Sequence, residues 1–228
     1  MKTTVYLSLF IAFALLVSCK KSDKKADVPT PVKKLKYLTR ITQVQNNTTT
    51  ITDYTYDNKK RISVVKDSNG QTTYTYSGNN LFSVEVIIPS IGYRETTEYT
   101  YNTRDTVLSA DVKQYTNGTL TTKLVYTYFF TNGRLTEVHH DIYVDKYIYD
   151  DRGNLISADG SVTYDDKPNI YTNGSPTIGG FPVSPNNVTR RGPAIYTYTY
   201  DDDGYPISAI ETGQNIQTTK YAYTYTEM

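Results

Sequence analysis

The chain has 228 residues, with 24 basic and 23 acidic side chains, 24 tyrosines, no tryptophan and one cysteine. A charge so nearly balanced lacks the basic field that a phosphate backbone demands, which excludes nucleic acid as a partner class. A lone cysteine supplies neither an internal disulfide nor a thiolate metal cluster, so the fold must rest on packing.

In chain order, Lys2 precedes an apolar run over residues 5–17, and Leu16-Val17-Ser18-Cys19 closes it. A basic start, a short apolar stretch and a small residue before the end form the pattern of a signal peptide over residues 1–18. The run stops short of the roughly 20 apolar residues that a spanning helix needs. Its last four residues resemble a bacterial lipobox. That resemblance implies that Cys19 is diacylated and becomes the mature N-terminus, with the membrane as its partner, each buried methylene contributing about 0.8 kcal/mol of anchoring. Lys20 stands where inner-membrane lipoproteins carry Asp, so the same analogy implies outer-membrane delivery, on the periplasmic or the cell-surface face. Residues 19–34 are lysine-rich and end in Val28-Pro29-Thr30-Pro31, a composition suited to a flexible linker.

Residues 35–228 repeat one pattern. Tyr-x-Tyr doublets recur at Tyr54/Tyr56, Tyr74/Tyr76, Tyr99/Tyr101, Tyr126/Tyr128, Tyr147/Tyr149, Tyr198/Tyr200 and Tyr223/Tyr225, with Val162/Tyr164 as a degenerate copy. Aromatic and β-branched residues at period two put both rings on one face of a strand. Turn signals follow, such as Asp150-Asp151-Arg152-Gly153 and Asp201-Asp202-Asp203-Gly204, and beyond each lies a second strand such as Leu81-Phe82-Ser83-Val84. Self-similarity at this period means one supersecondary unit used repeatedly. The expected fold is all-β, an antiparallel meander of roughly 14–16 strands, strongly curled or closed into a barrel-like sheet, with a two-sheet sandwich as the alternative.

The unit Tyr147-Ile148-Tyr149-Asp150-Asp151-Arg152-Gly153-Asn154-Leu155 resembles the YD repeat of Rhs-type bacterial surface proteins. With the lipobox in front, the whole chain resembles a family of uncharacterised Bacteroidetes outer-membrane lipoproteins with a porin-like β fold. The resemblance implies architecture and location, and no activity. Several copies lack the Asp or the Gly, and the chain is too short to build the shell of true Rhs proteins.

One segment, residues 166–191, breaks the repeat with a density of Pro, Gly and Asn, and reads as a long loop: a lid, a plug, a binding loop or a crossover covering a barrel end. Tyr171 and Phe181 are its candidate binding residues. His139 and His140 are neighbours on an expected strand, so they face opposite sides and do not share a metal. Asp201, Asp202 and Asp203 read as turn residues, lacking the alternating ligands of a calcium loop. No nucleophile elbow or triad stands out, so no catalytic residue, cofactor or metal is assigned. The expected function is a non-catalytic binding or scaffold module of the cell envelope, with a glycan or an envelope protein as partner. The alternative is a glycosidase-like enzyme using cross-strand carboxylates. Most tyrosines are expected to pack on one another across strands, and those lining an open groove would serve recognition.

Overall fold

The computed structural model describes residues 35–156, 161–174 and 184–228. Lys36–Gln45 (β1) and Thr48–Tyr56 (β2) begin the β domain, followed by Ile62–Lys66 (β3), Gln71–Ser77 (β4) and Asn80–Ile88 (β5). A single 3-10 turn at Pro89–Ile91 leads into Tyr93–Tyr101 (β6), Val107–Thr116 (β7), Thr119–Thr131 (β8) and Arg134–His140 (β9). Four shorter strands come next, Tyr143–Lys146 (β10), Ile148–Tyr149 (β11), Leu155–Ile156 (β12) and Val162–Pro168 (β13). Asn186–Arg191 (β14), Ala194–Tyr200 (β15), Pro206–Gly213 (β16) and Ile216–Glu227 (β17) complete the described residues.

Seventeen strands among the described residues exceed the expected 14–16 by one, and the break at Tyr147 between β10 and β11 accounts for one strand. Fifteen of them share one antiparallel sheet, which runs from β10 down to β1, continues to β17 and ends at β13. The sandwich alternative is therefore not formed. The first and last strands lie side by side, Lys36 opposite Glu227, while the sheet's two edges fall in mid-chain at β10 and β13.

The sheet is not closed, which corrects the expectation of a closed barrel. β11 and β12 pair only with each other. This small hairpin nevertheless bonds to β9, next to one edge, and to β13 at the other. On one side Tyr147 N donates to Thr136 O at 2.9 Å and the Tyr149 hydroxyl to Leu135 O at 2.7 Å. On the other, Tyr164 donates its hydroxyl to Leu155 O, and Arg152 Nη1 donates to Asp165 O at 2.7 Å. The hairpin thus links β9 to β13 through side-chain bonds and the one backbone bond of Tyr147, a seam in place of a continuous ladder.

Curvature has a repeating local cause. Opposite the second tyrosine of a doublet the register slips by one residue, as between Thr55 and Tyr56, Thr75 and Tyr76, Thr100 and Tyr101, and Thr199 and Tyr200. Each slip is a bulge that bends the strand and deepens its twist. Past the bulge the ladder to the next strand has ended: β3 begins pairing with β4 only at Val64, and β5 with β6 only at Ser83. The carbonyls left behind are taken by tyrosine. Tyr56 donates to Leu38 O at 2.7 Å, Tyr76 to Ile62 O at 2.8 Å, Tyr101 to Leu81 O at 2.7 Å and Tyr225 to Pro206 O at 2.9 Å. A buried carbonyl without a partner costs about 1–3 kcal/mol, so these hydroxyls stabilise the splayed ends.

The Asp or Asn after the doublet shapes the turn. Asp57, Asn102, Asp150 and Asp201 each accept, on one side-chain oxygen, from the backbone N–H groups two and four residues on. The fourth turn residue has positive φ, 90° at Gly153 and 84° at Gly204, but 63° at Lys60 and 58° at Asp105, where the repeat lacks glycine.

Tyrosine rings occupy the concave face, and the main buried cluster there is Val107, Ala110, Tyr128, Leu135 and Val138, with Tyr99, Tyr101, Tyr126, Phe130 and Tyr147 against it. The convex face carries Thr and Ser pairs, such as Thr100 to Ser109 at 2.7 Å, and ion pairs, such as Arg40 to Asp53 at 2.6 Å and Arg94 to Glu85 at 2.7 Å. Such alternation suits a sheet with one face in water.

Candidate functional site

The segment expected as a loop over 166–191 is shorter than that. β13 takes residues up to Pro168 and β14 begins at Asn186, since Tyr164 pairs with Val188 and Pro168 with Asn186. Residues 169–174 leave β13 and cross to the far wall at β1–β3. Asn173 Nδ2 donates to Lys36 O at 2.8 Å and to the Tyr205 hydroxyl at 3.1 Å, while Ile62 N donates to Gly174 O at 2.9 Å. Tyr171 meets Tyr54 with hydroxyls 3.2 Å apart and ring centroids 6.0 Å apart. Burial pushes both of these hydroxyls above the ordinary tyrosine range. We term this crossing stretch, residues 169–174, the plug.

Next to this plug lies a cavity of about 580 Å³, within the range of small-molecule sites. Its walls come from both ends of the domain's chain, which the β1–β17 pairing brings together. Gln43 of β1 and Tyr54 of β2 form one side, Tyr196 of β15 and Tyr221 and Tyr223 of β17 another, and Arg191 of β14 stands at the exposed rim. The Tyr221 and Tyr223 rings lie nearly parallel, 6.4 Å apart.

The polar groups of this region divide into committed and free. Asn187 is 2% exposed and donates from Nδ2 to Asp165 Oδ2 at 3.1 Å and Pro168 O at 2.9 Å; Asn154 Nδ2 donates to Asn186 Oδ1 at 3.0 Å. These amides hold the seam and the base of the plug. Glu211 accepts from Tyr196 at 3.0 Å and Tyr221 at 2.6 Å, one hydroxyl on each oxygen. Desolvation first, and these bonds to the carboxylate second, raise the pKa of both hydroxyls. Among the described residues, no hydrogen-bond or ion-pair partner is found for the Arg191 guanidinium, the Gln43 amide or the Tyr223 hydroxyl, and no carboxylate lines the cavity.

Of the sequence candidates, Tyr171 sits in this cavity. Phe181 and Cys19 lie outside the described residues. His139 and His140 separate as adjacent strand residues must: His139 bonds Glu137 at 2.9 Å and packs on Phe129, while His140 bonds Asp145 at 3.1 Å and packs on Tyr126. Asp201 and Asp203 belong to a turn and grip Lys36 Nζ at 2.7 Å and 2.8 Å. Those bonds raise the Lys36 pKa above the ordinary lysine value. Sequence reasoning missed Arg191, Gln43, Tyr196 and Tyr221. A signal was present for the two tyrosines: in Tyr196-Thr197-Tyr198-Thr199-Tyr200 and Tyr221-Ala222-Tyr223-Thr224-Tyr225 the doublet is extended to a triplet, and the added residue is the one that reaches Glu211.

Among solved structures the chain is similar to a porin-like protein from Bacteroides uniformis, at 14% identity and a TM-score of 0.42, over 85% of this chain and 99% of that one. It is also similar to a porin-like protein from Bacteroides vulgatus, at 11% identity and a TM-score of 0.41, over 85% of this chain and all of that one. No family model matches the chain, and no curated protein does.

Proposed function

We propose that this chain is a cell-envelope lipoprotein, held to the outer membrane by acylated Cys19, whose β domain is a non-catalytic module that binds a glycan in the tyrosine-lined cavity. The observation that carries the reading is the cavity itself: ring faces on several sides and polar groups with no partner of their own. Tyrosine offers an apolar face with a polar tip at low rotamer entropy, the combination enriched at recognition surfaces. The convex face mixes exposed apolar side chains such as Phe82, Leu108, Val125 and Ile195 with ion pairs and Thr–Ser pairs. Those polar pairs interrupt the apolar outward band that a bilayer-spanning barrel requires, which favours a domain standing in water on its tether. A glycosidase needs two carboxylates flanking the bound sugar. Glu211 is held by two tyrosines instead, and the cavity lining adds no second acid among the described residues.

Two measurements test the reading. Titration calorimetry of the soluble domain, residues 19–228 with Cys19→Ser, against a panel of neutral and acidic oligosaccharides should find saturable binding that Tyr171→Ala weakens by about tenfold, a loss of roughly 1.4 kcal/mol. Silence across the panel would contradict glycan binding. In cells, Cys19→Ala should abolish incorporation of labelled palmitate and move the protein from the membrane to the soluble fraction; unchanged labelling would contradict the anchor.

A further inference from the structure

We infer that the ligand of the cavity is an acidic glycan, its carboxylate or sulfate held by Arg191. The inference rests on the glycan-binding reading and deepens it. Arg191 is the only charged residue among those lining the cavity, and no carboxylate partner is found for it among the described residues. A guanidinium presents five donors and no acceptor, in a planar fork that matches a carboxylate bidentately. Beside it the Gln43 amide and the Tyr223 hydroxyl are uncommitted, and both can donate as well as accept. Free donors therefore exceed free acceptors, which suits a ligand rich in acceptor oxygens.

The two acids close by are already engaged, and Asp165 accepts from Asn187 Nδ2 at 3.1 Å and from the Tyr200 hydroxyl. Glu211 accepts hydrogen bonds from the Tyr196 and Tyr221 hydroxyls, so its charge is met from within the protein and those two hydroxyl oxygens are left to accept from sugar hydroxyls. Charge on Arg191 is felt in the same place, since it opposes the rise of the Tyr196 and Tyr198 pKa values. Tyr221 and Tyr223, with rings parallel at 6.4 Å, both line the cavity and supply aromatic surface for the apolar face of a sugar ring. A fatty acid would also bring a carboxylate, but the amide and hydroxyl groups on the walls suit a polyol better than an alkyl chain.

The test uses probes that differ in charge alone. Tetragalacturonate and its methyl ester form one pair, and sialyllactose and its methyl ester form a second. In calorimetry on the intact soluble domain, at least one acidic probe should bind about tenfold or more tightly than its neutral mate. Arg191→Gln should erase that difference. Arg190→Gln, the neighbour that donates instead to Gly192 O at 3.1 Å, should leave it intact. Equal binding of acid and neutral mate, unchanged by Arg191→Gln, would overturn this inference while the glycan reading stands. An acid preference lost equally in both arginine variants would overturn it too, as a diffuse surface effect. No binding of any of the four probes would overturn the inference and count against the glycan reading as well. Both arginines are exposed, so neither substitution threatens the fold.

Discussion

Tyrosine position within the doublet decides what the side chain does in most copies, Tyr198 and Tyr200 being the exception, since Tyr198 donates to Val188 O at 3.0 Å and Tyr200 to Asp165. The second ring ends in a hydroxyl that closes a splayed ladder, at Tyr56, Tyr76, Tyr101 and Tyr225, while first-position rings such as Tyr54 and Tyr223 face the cavity. The turn that follows has its own residue-scale logic. Lys60 and Asp105 hold positive φ without being glycine, a conformation that costs an L-residue about 1 kcal/mol. Lys60→Gly should therefore stabilise the domain by up to about 1 kcal/mol, and Gly204→Ala should destabilise it by a similar amount. Urea midpoints check both, and a loss of stability in Lys60→Gly would contradict the turn assignment. Asp150 accepts from Arg152 N, Asn154 N and Asn154 Nδ2, so Asp150→Ala should cost about 2 kcal/mol by the same assay.

At the scale of the element, the strand–turn–strand unit was legible in the sequence and its placement was not. Period-two tyrosines and Asp-rich turns are local signals, and they mark the strands and the side-chain-capped reversals correctly at Tyr147–Asn154 and Tyr198–Tyr205. The pairing of β1 with β17 joins residues nearly two hundred positions apart, and no local pattern encodes it. The seam is equally hidden: Tyr164 bonds Leu155 by a hydroxyl where other copies add a backbone ladder, although its local sequence differs from them only in Val162. Because the site is walled by β1, β2, β14, β15, β17 and the plug, its composition depends on that distant pairing, and Tyr171 was the one lining residue that sequence reasoning named as a binding candidate. The plug makes its own prediction. A Cβ on Gly174 would lie 2.5 Å from Tyr56 Cε1 and 2.8 Å from Lys60 O, at a φ of +76°. Gly174→Ala should thus push residues 169–174 off the far wall. Hydrogen exchange at the Ile62 amide, whose acceptor is Gly174 O, should accelerate by about tenfold or more, whereas unchanged protection would mean the contact is incidental.

For the whole molecule, so many buried hydroxyls make stability depend on alkaline pH. Burial pushes Tyr56 and Tyr76 up to about 12, and burial together with Glu95 does the same for Tyr93. Unfolded tyrosines ionise near pH 10, so between about 10 and 12 the folded chain holds more protons than the unfolded one, and stability falls as pH rises through that window. Thermal melts followed by circular dichroism should show a melting temperature that is level at neutral pH and drops steeply above about pH 10; a level profile to pH 11 or so would contradict the burial of these hydroxyls. The curled sheet, its seam and its cavity all depend on the division of labour within the doublets. Tyrosine-to-phenylalanine substitution isolates it, because only the hydroxyl is removed. Unfolding free energies from urea titration should fall by about 1–2 kcal/mol for each of Tyr76→Phe, Tyr101→Phe and Tyr225→Phe, and stay within about 0.5 kcal/mol of the parent for Tyr74→Phe, Tyr99→Phe and Tyr223→Phe. Equal losses in the two sets would contradict the account.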